Sequence, residues 1–83
     1  MADMVNEIVE TIYSKDRKRR VNIIRRPDES YSHIEEYYFN NELAHIEGWA
    51  SLGSNPTQYD SVETARREVP FNVPWLASQL AEP

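Results

Sequence analysis

Between residues 4 and 13 two hydrophobic periodicities compete. Met4, Val5, Ile8, Val9, Ile12 and Tyr13 recur at the spacing of one helical stripe, yet five of these ten residues are β-branched. β-branched side chains lose rotamer freedom in a helix and pack well on a pleated surface. We therefore read residues 7–14 as a strand. Its antiparallel partner is "RRVNIIRR", residues 19–26, across the polar turn "SKDRK". In "RPDES" Pro27 presets φ for the first turn position and Asp28 suits the second. "YSHIEEYYF", residues 31–39, is the next strand. "NNE" is expected to break it, because Asn40 and Asn41 tolerate positive φ. "LAHIEGWASL", residues 43–52, follows as a strand weakened or bulged at Gly48, and "GSNPTQ" as a loop.

From residue 59 the period changes. In "YDSVETARREV" Val62, Ala65, Arg66 and Val69 fall on one side of a helix. Asp60 is the expected N-cap, Glu63 completes a capping box three residues on, and Pro70 should stop the helix. A shorter helical segment should begin at "NVPW", with Asn72 as cap and Pro74 in its first turn. Trp75, Leu76 and Leu80 would close over the core, and the tail from Ala81 should fray. The predicted class is α+β: a two-layer antiparallel meander of three to four strands, then a packed helix and a short C-terminal helical segment. The 83 residues make one domain, strand-rich over 7–52 and helical over 60–80, with a flexible tail at 81–83.

The triplet His-Ile-Glu occurs twice, at His33–Glu35 and His45–Glu47, and these are the only two histidines. Two histidines and two carboxylates are ligands of a suitable type for a metal. Whether they converge depends on the hairpin between them, because a one-residue change in loop length turns one triplet to the other face. The even positions Ala44, Ile46, Gly48, Ala50 and Leu52 form an uninterrupted apolar row. On the preceding strand the odd positions Tyr31, Tyr37 and Phe39 form the better aromatic layer. Matching odd to even requires a loop of even length, which separates the triplets. No metal ligands and no cofactor are assigned.

Composition narrows the chemistry further. Without cysteine, neither disulfides nor thiolate zinc sites can staple the chain. Gly48 and Gly53 are the only glycines, so no phosphate-cradling loop exists, and no serine sits in a nucleophile elbow. The expectation is a protein that is not an enzyme. No apolar run reaches the roughly 18 residues of a membrane span, and the acidic start "MADM" lacks the order of a secretion signal. A bacterial cytoplasmic setting without a membrane partner is expected.

The net charge of −5 is unevenly spread. Seven of the nine basic residues lie between Lys15 and Arg26, where Asp16 is the only acid. Such a patch can meet an anion. The competing reading, which we favour, is that this basic strand pairs with carboxylates on its neighbours.

The segments "ETIYSKDRKRRVNIIRRPDESYS", "EEYYF" and "YDSVETARREV…VPWL" resemble a group of small bacterial proteins of unknown function. That resemblance spans most of the chain and implies a self-contained bacterial domain, with no activity to transfer. Strands followed by "YDSVETARRE" are also similar to the plant ethylene-response-factor type of DNA-binding domain. There Arg and Trp on the sheet read the major groove. Here Glu35, Glu36 and Glu47 would repel phosphates, and the likeness reports a shared way of capping a helix.

The function expected from these features is a small non-enzymatic interaction or regulatory domain, self-association included. Its candidate contact residues are Tyr31, Tyr37, Tyr38 and Trp49, since such rings suit surfaces that form contacts in water. The alternative is weak nucleic-acid binding through residues 15–26, with Arg17, Lys18, Arg19, Arg20, Arg25 and Arg26 as the phosphate contacts.

Overall fold

Residues 5–52 and 57–81 are described by the computed structural model, and the competition at the N-terminus goes to the strand. β1 (Glu7–Tyr13), β2 (Arg19–Arg25), β3 (Tyr31–Asn41) and β4 (Ile46–Ser51) form one antiparallel sheet in the order β1-β2-β3-β4. Two helices follow, α1 (Val62–Asn72) and α2 (Pro74–Ala81), and the α+β meander is thereby borne out. Met1–Met4, Gly53–Pro56 and the tail at 82–83 lie outside the described residues, so the expected fraying there is not addressed.

Each hairpin turn carries one non-glycine residue in the left-handed region: Arg17 (φ 62°), Glu29 (φ 69°) and His45 (φ 56°). That conformation costs energy in residues with a Cβ. Local hydrogen bonds offset it in the first two turns. Asp16 accepts from the Ser14 hydroxyl at 2.6 Å and from the Lys18 amide at 3.0 Å. Asp28 accepts from the Ser30 hydroxyl at 2.6 Å and its amide at 3.0 Å. The same bonds hold both carboxyls below the ordinary aspartate range. In the second turn the Glu29 amide donates to Arg26 and the Arg26 amide to Ser30. That is a three-residue loop ending in a left-handed residue, as Pro27-Asp28 prescribes.

The third hairpin departs from expectation in place but not in parity. Asn40 and Asn41 stay in β3, paired with Glu47 and Ile46, and the chain reverses over residues 42–45. Leu43, Ala44 and His45 are therefore turn, not strand. The asparagine chemistry is used one step later, with the Asn41 side chain accepting from the Ala44 amide at 3.2 Å. The loop has four residues, an even number, as the apolar rows required. Gly48 pairs regularly with Phe39 and is not a bulge; the phenyl ring lies 3.7 Å from where a Cβ would stand. The irregularity is in β1 instead, at Val9 between Ile8 and Glu10.

Three helical expectations are corrected. The N-cap of α1 is Ser61, not Asp60: its hydroxyl accepts from the Thr64 amide at 3.1 Å. A backbone bridge between Tyr59 and Tyr31 holds the preceding segment on the sheet, which leaves Asp60 outside the helix. Pro70 does not stop α1, which runs on to Asn72. Proline in the last turn removes a single late hydrogen bond, and the buried Val69 and Val73 hold the helix against the sheet on either side of it. Asn72 is not a cap either; its amide nitrogen donates to the Tyr59 hydroxyl and the Glu68 carbonyl. Pro74 opens α2 as expected, with the Val73 carbonyl accepting from Leu76 and Ala77.

The core lies between the central strands and the helices. Val21 and Ile23 from β2 pack with Tyr59, Ala65, Val69, Val73 and Leu76, and Ile12, Tyr31, Val62 and Trp75 form its margin. Leu80, expected to join them, is exposed. The molecule measures 43 × 41 × 18 Å, and its radius of gyration is 14.2 Å. A compact chain of this length would have about 12 Å. β2 pairs with β3 only as far as Tyr37, so the end of the β3–β4 hairpin runs on beyond it to Asn41 and Ile46.

Candidate functional site

Alternation along the strands divides the sheet into two faces that are treated differently. On the helix side the registers align Ile12, Val21, Glu35 and Leu52 in one cross-strand row, and Glu10, Ile23 and His33 in the next. The helices cover the part near Val21 and Ile23. Beyond them the side chains of Tyr37, Phe39, Ile46, Ala50 and Leu52 continue the same face with no helix above. Tyr37, Ile46 and Leu52 are 37 %, 54 % and 51 % exposed, and Leu43 at the tip is 96 % exposed.

On the opposite face Tyr13, Arg20 and Glu36 stand in one row. Glu36 accepts from Arg20 Nε at 2.6 Å and from Asn22 Nδ2 at 2.9 Å, and Asn22 in turn accepts from the Thr11 hydroxyl at 2.8 Å. The Trp49 ring covers the Arg20 guanidinium at 4.2 Å, and Trp49 meets Tyr13 and Tyr38 edge-on at 6.0 and 5.7 Å. Arg17 lies 5.2 Å from the centre of the Tyr13 ring. Burial disfavours the charge on Arg20, but the bonds to Glu36 and the nearby Tyr13 phenol outweigh it and raise the guanidinium above its ordinary range. Tyr38 donates to Glu47, which makes its phenol harder to ionise. This face thus carries a hydrogen-bonded network around one ion pair, Arg20–Glu36, under an aromatic roof.

The four candidate contact residues do not share a surface. Tyr38 and Trp49 belong to the roofed face, Tyr37 lies on the uncovered part of the other face, and Tyr31 packs against the core beside Tyr59. The cations are divided too. Arg19 pairs with Glu35 at 3.4 Å, Arg20 with Glu36, and Arg25 with Glu7 at 2.9 Å. Arg26 reaches the Ser30 hydroxyl at 3.5 Å, and Arg17 and Lys18 stand in the first turn. The favoured reading of the basic strand, pairing with neighbouring carboxylates, holds for Arg19, Arg20 and Arg25.

The two histidines part company. His33 is fully buried on the helix side, its Nδ1 3.0 Å from the Tyr59 hydroxyl. Burial lowers its affinity for a proton, and the nearby Glu35 offsets this only in part. With Asn72 donating to the Tyr59 hydroxyl, that hydroxyl can donate to Nδ1 of a neutral imidazole. Burial also raises the Tyr59 phenol against the opposing Asn72 bond. His45 stands in the exposed tip, some nine residues further along the hairpin, or about 30 Å at strand rise. Among the described residues no group of three or more His, Cys, Asp or Glu is placed to hold a metal. Among the described residues no helix is long and apolar enough to cross a membrane.

No family model, curated protein or solved structure matches this chain, which accords with its resemblance to a group without an established function. The residues that the sequence did not mark as contact candidates are Leu43, Ile46 and Leu52 on the projecting hairpin, and Tyr13 and Glu36 on the roofed face; Ile46 and Leu52 were read only as part of an apolar row. Adding the registers of successive hairpins would have aligned Tyr13, Arg20 and Glu36. Nothing in the sequence marks where the helical cover ends.

Proposed function

We propose that this chain is a small non-enzymatic interaction domain, and that its contact surface is the β3–β4 hairpin beyond the helices. One observation carries this reading: Tyr37, Leu43, Ile46 and Leu52 are exposed together on a hairpin with no helix over its helix-side face, while Val21, Ile23 and His33 on the same face of the sheet are fully buried. Contiguous apolar surface left open at one end of a small fold is a property of contact sites. We place its work in the bacterial cytoplasm, in keeping with the resemblance noted above. Nucleic-acid binding through residues 15–26 is the weaker reading, since Arg19, Arg20 and Arg25 already have carboxylate partners.

A photo-crosslinking residue in place of Leu43, compared with one in place of the solvent-facing Arg67, tests the proposal in the cells that make the protein. Adducts to protein from position 43 and none from position 67 are expected. Equal labelling from both positions, or none from either, would sink it. A duplex titration at several salt concentrations checks the alternative, for which three or four phosphate contacts would give a log–log slope of about −3.

A further inference from the structure

We infer that the partner of this hairpin is a second copy of the chain, stacked face to face over the uncovered part of the sheet. The inference rests on the interaction reading above and names the occupant. It starts from the shape of the helix side. α1 packs on β2 and β3, and the buried core lies over Val21 and Ile23, with Trp75 at its margin. The sheet continues past that cover through three cross-strand pairs, Tyr37–Ala50, Phe39–Gly48 and Asn41–Ile46, whose side chains share the helix side. Tyr37 and Ile46 among them are 37 % and 54 % exposed. The result is a step, with two layers at one end of the molecule and one layer at the other.

One further layer fits that step. Stacked sheets stand about 10 Å apart, and a helix is about 10 Å across, so a second hairpin laid on the first comes level with the helices. Each copy supplies both the step and the hairpin that fills it. A two-fold axis between the sheets, at right angles to the strands and over the Phe39–Gly48 pair, reverses the second hairpin. Phe39 then meets its own equivalent on the axis, and the Tyr37–Ala50 row of each copy lies on the Asn41–Ile46 row of the other. Large side chains are set on smaller ones, Ile46 on Ala50 and Tyr37 on Asn41. Leu52 and Tyr59, on either side of residues 53–56, bond to Glu35 and Tyr31, toward the far end of β3 from the tip.

Charge selects the same orientation. Glu42 opens the turn beside β3 and is exposed, next to Leu43, which is 96 % exposed. At the inner corner of the step stands Arg19, paired across from Tyr37 on the helix side. It touches Glu35 through Nη1 alone, at 3.4 Å, and stays about half exposed, with further N–H donors to offer. The reversed hairpin brings Glu42 of each copy to Arg19 of the other. Parallel stacking would instead set Glu42 against Glu42 and drive the two helical layers together. Two strands of about five residues present a face of roughly 16 × 10 Å. With the tip seated, each copy buries on the order of 500 Å², below the ~800 Å² of a standard interface. The dimer is therefore weak, with dissociation expected at ~10–100 µM.

Sedimentation equilibrium with charge reversal across the proposed contact is the test. The native chain should show a concentration-dependent dimer between ~10 µM and ~1 mM. Glu42→Lys and Arg19→Glu should each weaken association at least ~10-fold, because each sets like charges together. The double reversal should recover most of the loss. Arg67→Glu, on the exposed side of α1, should leave association unchanged. Circular dichroism checks the fold of each variant, and Glu42→Lys, in an exposed turn, reads the contact by itself where Arg19→Glu disturbs the strand. A native chain that sediments as a monomer at ~1 mM overturns the inference, and so does a dimer that Glu42→Lys leaves unchanged. If the chain is monomeric but position 43 still crosslinks a different protein, only the second-copy inference fails. If position 43 also labels nothing, the interaction reading falls with it.

Discussion

The part of the sheet beneath the helices, centred on β2, and the β3–β4 hairpin that projects beyond them share strand β3, yet they exclude water by different means. Under the helices Val21 and Ile23 meet apolar partners from α1 and α2, and even His33 is taken in as a neutral group bonded to Tyr59. Along the projecting hairpin neither helix lies over the helix side, and Ile46 and Leu52 stay about half exposed. There the protein shields only the opposite face, by stacking Trp49 over the Arg20–Glu36 pair. The difference teaches that cover, not strand composition, sets burial here. Ile23 and Ile46 are the same residue type in strands of one sheet, one fully buried and the other half exposed.

Substitutions should separate these regimes by size. Ile23→Ala removes side-chain volume from the fully packed centre and should cost about 3–4 kcal/mol in urea denaturation. A loss of under about 1 kcal/mol would mean the helical layer packs loosely and the contrast is false. On the roofed face Glu36→Ala leaves the Arg20 guanidinium and the buried Asn22 amide without their shared acceptor. The expected cost is about 2 kcal/mol, measured the same way. Trp49→Ala beside it reads the aromatic roof separately, and a double variant that costs less than the sum of the two single effects would show one cooperative unit. Ser61→Ala should cost about 1 kcal/mol and Asp60→Ala much less, which distinguishes the observed cap from its neighbour.

A smaller effect belongs to His33. Its affinity for a proton is lowered in the folded chain, while the unfolded chain binds a proton near pH 6.5. The unfolded state therefore protonates first. The stability that comes from a neutral His33 is fully present above about pH 6.5 and is lost as pH falls from there toward the lowered folded value. Denaturation midpoints measured from pH 7.5 to 5 should fall, and His33→Gln should flatten the slope in that window. An unchanged slope would place the proton elsewhere. Last, Leu52→Ala on the uncovered hairpin should change stability in urea denaturation by no more than about 0.5 kcal/mol.

What could be read without the fold was local. The β-branched run over 7–13, the Pro27–Asp28 turn and the helical period after Asp60 each express a preference that neighbours in sequence can satisfy. The even parity of the third hairpin followed from matching apolar rows, because a one-residue slip would have turned a whole strand over. Where that hairpin turns was not legible: Asn40 and Asn41 look like turn residues, but pairing with Glu47 and Ile46 satisfies their backbone better than an early reversal. The cap moved from Asp60 to Ser61, and Pro70 was carried inside α1, for the same reason. Contacts with Tyr31 on one side, and the burial of Val69 and Val73 on the other, outweighed signals worth about 1 kcal/mol and about 3 kcal/mol.

The candidate surface shows the limit most clearly. The sequence by itself determined that Tyr31, Tyr37, Tyr38 and Trp49 would crowd onto two strands, and alternation alone would have separated odd from even. Only the tertiary structure decided that Tyr31 joins the core, that Tyr38 and Trp49 roof an ion pair, and that Tyr37, Ile46 and Leu52 remain uncovered. Alternation depends on adjacent residues, whereas cover depends on where two helices, which begin only after the last strand, come to rest on the sheet.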